Sequence, residues 1–109
     1  MNILLVEDDL PTQKIISHHL TKFGHQVDVK NSVLETLADI SSHDFAIIDA
    51  NLPDGKGIEL AQTLISKDYF AKIIISSASD SDLEKARNLG FICLAKPFTI
   101  ADLKKMLVL

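Results

Sequence analysis

Apolar and polar positions along this chain fall into blocks that switch between two periods. Ile3-Leu4-Leu5-Val6 is a short continuous apolar run, as expected of a strand buried on both faces. Ile15, Ile16, Leu20 and Phe23 then recur at helical spacing. Pro11 sits near the start of that helix, where its missing N–H costs little, and Gly24 offers a C-cap. Gln26–Lys30 alternates polar and apolar, which predicts an edge strand. Ser32 and Glu35 form the capping-box pattern ahead of a second helix carrying Val33, Leu34, Leu37 and Ile40. Phe45-Ala46-Ile47-Ile48 reads as another buried strand, ending in Asp49.

Turn residues fill Leu52-Pro53-Asp54-Gly55-Lys56-Gly57. Ile58, Leu60, Ala61, Leu64 and Ile65 predict a third helix, and Lys72-Ile73-Ile74-Ile75 a fourth strand. Ser81 with Glu84 offers a second capping box for a short fourth helix ending at Gly90. Phe91–Ala95 is a fifth strand, and Thr99 can cap a last helix from about Ile100 to the end. The whole chain is thus a series of βα units. Such alternation predicts an α/β fold, a doubly wound (βα)5 parallel sheet with helices on both faces. Right-handed crossovers narrow the topology, and strand order 2-1-3-4-5 is the expected solution.

Composition leaves this picture intact and bounds it. A chain of 109 residues with 47% apolar and 24% charged residues fits one domain, residues 1–109, around one core. A net charge of -4 argues against direct nucleic-acid binding. Cys93 is the only cysteine, so no intramolecular disulfide forms, and its apolar neighbours predict a small core residue. Met1-Asn2-Ile3 lacks the layout of a signal peptide, and no apolar run reaches membrane-spanning length. The expectation is a soluble cytoplasmic protein that does not contact membrane. Its abrupt apolar end, Leu107-Val108-Leu109, fits either a domain cut from a longer chain or a stand-alone protein.

The chemistry lies at the strand ends. Glu7, Asp8 and Asp9 follow the first strand, Asp49 ends the third, Ser76 and Ser77 the fourth, and Lys96 the fifth. In a doubly wound sheet these carboxyl ends share one edge, so the groups should converge on one crevice. Crowded carboxylates repel unless something compensates. A hard divalent cation such as Mg²⁺ does so, usually through one or two carboxylates and several waters. A carboxylate can also act as a nucleophile toward phosphorus and form an aspartyl phosphate. Mg²⁺, Lys96 and the Ser77 hydroxyl would then face the three equatorial oxygens of the transferred group.

With these residues in view, the chain resembles the receiver domains of two-component response regulators, which have a flavodoxin-like fold. Leu5-Val6-Glu7-Asp8-Asp9, Ile47-Ile48-Asp49, Leu52-Pro53 with Gly57, Ser77-Ala78 and Lys96-Pro97-Phe98 carry the resemblance, which covers essentially the whole chain. It implies that Asp49 is the phosphoacceptor. Glu7 and Asp8 would be the acidic pair beside Mg²⁺ (or Mn²⁺), with Asp8 the direct ligand and Asp9 a bystander. Asn51 would lend its backbone carbonyl to the metal. Ser77 would be the switch hydroxyl and Lys96 the phosphate-binding lysine, with a cis peptide before Pro97. The implied partners are a histidine kinase or histidine phosphotransfer protein and an unidentified output domain or protein. A homodimer through the helix 4–strand 5–helix 5 face is a further implication. The domain would be a signalling module, an enzyme only toward its own phosphorylation and dephosphorylation.

Two positions depart from the family pattern. Cys93 stands three residues before the lysine, where the family often has an aromatic ring that moves with the switch hydroxyl. Gly90 to Lys96 is one residue shorter than usual. Asn51 and Ser79, two after the acceptor and two after the switch serine, are small and polar, which predicts free water access and a short phosphoryl lifetime. His18, His19, His25 and His43 show no metal spacing and read as surface or helix residues. Two other functions compete. A phosphorylation-independent pseudo-receiver would bind partners only. An Mg²⁺-dependent aspartyl-phosphate hydrolase would need an acid at Asn51, where an amide cannot serve.

Overall fold

The computed structural model describes residues 1–67 and 70–108. Its elements are β1 (Asn2–Val6), α1 (Leu10–Lys22), β2 (Gln26–Lys30), α2 (Val33–Ala38), β3 (His43–Asp49), β4 (Asn51–Leu52), β5 (Gly55–Lys56), α3 (Gly57–Ile65), β6 (Phe70–Ser77), α4 (Asp80–Asn88), β7 (Ile92–Ala95) and α5 (Ile100–Met106). The main sheet has five strands in the order β2-β1-β3-β6-β7, and every pairing is parallel. The turn-rich segment after Asp49 forms a two-stranded antiparallel ribbon, β4-β5, outside that sheet. The expected fourth and fifth strands are therefore β6 and β7, and the expected order holds.

Strand alternation sorts the core into two layers. Ile3, Leu5, Phe45, Ile47 and Ile74 face α1 and α5, where Ile16, Leu20, Leu103 and Leu107 meet them. Leu4, Val6, Ala46, Ile48, Ile73 and Ile75 face the other way, toward Ile58, Ala61 and Leu64 of α3 and Ala86 of α4. Both faces are covered, which is why the strands read as unbroken apolar runs.

Several helix expectations need correction. Ile15, Leu34, Leu37 and Ile65 are exposed, because each helix buries a narrower stripe than its apolar content suggests. On α2 it is Thr36 that is buried, its hydroxyl donating to the Ser32 carbonyl at 2.8 Å, and Ile40 lies beyond the helix end. Ser79, not Ser81, caps α4, accepting from the Asp82 N–H. Thr99 caps α5 in a full capping box with Asp102. His43 is no surface residue: it opens β3, its side chain is 7% exposed, and its Nε2 lies 3.3 Å from Asp28 Oδ2.

Asp54, at the tip of the ribbon, accepts from the N–H groups of Val33 and Leu34 at 2.8 and 2.9 Å, so the ribbon caps α2 from across the chain. Gly57 closes the same segment onto the sheet. Its N–H donates to the Ala50 carbonyl at 2.8 Å, and a Cβ there would overlap the Asp49 carbonyl oxygen. Gly57→Ala should therefore push on the Asp49 backbone and cost about 1–3 kcal/mol, the usual range for overpacking. Urea unfolding checks this, and an unchanged midpoint would contradict the close approach.

Candidate functional site

Register brings the acids together. Val6 pairs with Ile48, so Glu7 and Asp49 follow side by side at the ends of adjacent strands. Glu7 is 1% exposed and Asp49 9%. Lys96 follows β7, its backbone fixed by an N–H bond to the Ser77 carbonyl at 2.8 Å, and the Lys96–Pro97 peptide is cis. β6 separates β7 from the acidic strands, so the long lysine side chain reaches over it. Lys96 Nζ donates to Glu7 Oε1 at 2.8 Å and to Asp49 Oδ2 at 3.1 Å.

One ammonium thus serves two carboxylates, and the electrostatics show the strain. Burial, joined by the neighbouring Asp49 carboxylate, raises the Glu7 pKa above its ordinary value despite the pull of Lys96. Burial alone would lower the Lys96 pKa, but its bonds to Glu7 and Asp49 outweigh that effect and raise it. Lysine therefore stays charged.

Asp8 adds a third acid at the mouth. Glu7, Asp8 and Asp49 each offer a carboxylate oxygen, all within 4.8 Å of one another. Three hard oxygen donors on an open edge suit Mg²⁺ and would suit a soft metal poorly. The donor set fits such a cation, and its negative charge exceeds what Lys96 alone can balance.

The other expected residues divide. Asp9 is turned away: its carboxylate caps α1, bonding the Thr12 N–H and hydroxyl, and the Thr12 hydroxyl leads in lowering its pKa. Asn51 donates its backbone N–H to Asp49 Oδ1 at 3.1 Å. Ser76 and Ser77 point to opposite sides of β6, as successive strand residues must, so they do not act as a pair. Ser77 carries the polar contacts. Its hydroxyl accepts from the Ser79 N–H at 3.0 Å and donates to Asp82 Oδ2 at 3.4 Å. Cys93 is half-buried, packs on the core beside α4 and donates its thiol to the Leu83 carbonyl at 3.3 Å. Burial pushes its pKa up, as for an inert thiol.

Sequence reasoning missed Asp82 and Gln13. Asp82 accepts from the Asn51 amide at 3.1 Å as well as from Ser77, and Lys56 Nζ holds the Asn51 amide oxygen at 3.0 Å. The pattern Ser79-x-x-Asp82 was a usable signal, since it places an acid in the first turn of a helix. Gln13 donates to the Glu7 carbonyl and to Asn31 Oδ1, both at 2.7 Å, and had no motif to mark it.

The chain resembles known proteins over nearly its whole length. The response regulator receiver domain pattern matches residues 3–108. An uncharacterized transcriptional regulatory protein, YcbL of Bacillus subtilis, is 33% identical over 107 residues, covering 92% of this chain and 46% of that protein. Transcriptional regulatory protein PdtaR of Mycobacterium tuberculosis is 30% identical over 108 residues, covering 93% of this chain and 52% of that protein. The chain spans about half the length of these curated relatives. A CheY-like receiver domain structure from Methylobacillus flagellatus superposes with a TM-score of 0.88 at 30% identity, covering 99% of this chain and 96% of that one. Among the described residues no helix is long and apolar enough to cross a membrane. The chain belongs to the response regulator receiver domain family of two-component systems.

Proposed function

We propose that the protein is a phosphoacceptor receiver that takes a phosphoryl group onto Asp49. The observation that carries this reading is the Lys96 ammonium bound at once to Glu7 and Asp49 on the carboxyl edge of the sheet. An Asp49 carboxylate oxygen attacks phosphorus and forms an O–P bond. The donor's N–P bond breaks, where the donor is a phosphohistidine of a kinase or phosphotransfer protein. The bonding pair stays on the imidazole, which takes up a proton, and Asp49 becomes an acyl phosphate.

Lys96 follows one phosphoryl oxygen with its charge, and the Ser77 hydroxyl donates to another. Glu7, Asp8 and Asp49, with the Asn51 carbonyl, would hold Mg²⁺ or Mn²⁺, which supplies charge neutralisation for a phosphoryl oxygen when bound. The output is an attached domain or a separate partner protein. Its identity, like dimerisation on the α4–β7–α5 face, is part of the proposal.

In Mg²⁺ with a small acyl phosphate, the protein should label at one site. Asp49→Asn should abolish the label, and Lys96→Met should slow it by about 10²-fold, the usual loss of one preorganised charge donor. Equal labelling of the Asp49→Asn protein would end this reading.

Metal and pH give an independent check. A raised Glu7 pKa means the fold favours the protonated acid. That contribution is full below its ordinary value of 4.5 and is lost as pH rises through the elevated one. Metal-free protein should therefore lose stability relative to Glu7→Gln as pH rises through that window. Mg²⁺ at about a hundredfold excess over Kd should add about 2.7 kcal/mol, and Asp8→Asn should shrink that gain. Denaturant titrations in chelator and in Mg²⁺ read both effects. A pH-independent gap between the two proteins, or no Mg²⁺ effect, would count against the acidic centre.

A further inference from the structure

Asp82 is a charged side chain on α4 with no part in the chemistry above. Yet its Oδ2 accepts from both site residues whose positions matter most: the Asn51 amide at 3.1 Å and the Ser77 hydroxyl at 3.4 Å. Lys56 Nζ extends the chain by holding the other end of the Asn51 amide at 3.0 Å. The four side chains link the β4-β5 ribbon to the first turn of α4 beside Asp49.

We propose that Asp82 is a positioning residue, a latch that holds α4 against the site while Asp49 is free and lets go when an anion occupies Asp49. The idea rests on the reading of Asp49 as phosphoacceptor. Three observations support it. The Ser77–Asp82 bond is long, so a phosphoryl oxygen can take the hydroxyl over at little cost. Asp82 is itself an anion, and an incoming phosphoryl group repels it at the moment its partner is withdrawn. Finally, α4 is lightly held: only Leu83 and Ala86 of its nine residues are buried.

The test loads the protein with beryllofluoride and Mg²⁺, a stable mimic of an aspartyl phosphate, and follows amide shifts and α4 hydrogen exchange by NMR. Wild type, Asp82→Asn and Asp82→Ala are compared, with Asp80→Asn as a control that removes a charge from the same helix turn without touching the site. Wild-type loading should speed exchange at the start of α4. In both Asp82 variants that exchange should already be fast without the ligand. Beryllofluoride should bind them threefold to tenfold tighter, about what one or two modest hydrogen bonds are worth. Asp80→Asn should bind as wild type does. A gain in affinity is not what a merely damaged fold would give. Equal affinity in wild type and both Asp82 variants overturns the latch while leaving Asp49 as acceptor. Failure of wild type to load overturns the acceptor reading, and the latch with it.

Discussion

The site depends on one ammonium placed between two buried carboxylates. Removing Glu7 and Asp49 from water is costly, and their closeness adds repulsion. Lys96 offsets part of that cost through charge-assisted bonds to both. One positive charge against two or three negative ones leaves an imbalance, and that imbalance makes the edge receptive to a divalent cation. In the proposed function, the lysine that steadies the free site also meets the phosphoryl group on Asp49, so one side chain would make both contacts.

The rest of the fold serves to keep those three groups at the same height. Parallel pairing with apolar side chains on both faces fixes the register of β1 against β3, and a slip would move Glu7 to the wrong side. The Lys96 N–H bond to Ser77 ties the end of β7 to β6, so the lysine begins its reach from a set point. Gly57 lets the ribbon return close to the Asp49 backbone, and Asp54 then pins that ribbon to α2.

Much of this was legible from the residues. Unbroken apolar runs ending in acid, hydroxyl or lysine located the sheet, its carboxyl edge and the acids that gather there. Helix surfaces were less legible, because an apolar side chain such as Leu34 or Ile15 carries no mark of whether a neighbour covers it. The cap of α4 was misread because Ser79-x-x-Asp82 and Ser81-x-x-Glu84 satisfy the same pattern, and only packing chooses between them. The pattern Ser79-x-x-Asp82 marks Asp82 as a helix-start acid, but the site contacts of Asp82 and Gln13 were hidden for a deeper reason. Asn51 and Asn31 lie far along the chain, and Ser77 and Glu7, though near in sequence, are met only where a strand end turns into the next helix, so no simple spacing encodes these contacts.

In the proposed function, the charge received by this site is carried covalently on Asp49. Borohydride reduction of the labelled protein, followed by peptide mass spectrometry, reads this directly, since an aspartyl phosphate is reduced to homoserine while a serine phosphate is untouched. Homoserine is expected at residue 49 and at no other position. Reduction at another carboxylate, or a borohydride-resistant phosphoryl group on Ser77, would contradict it.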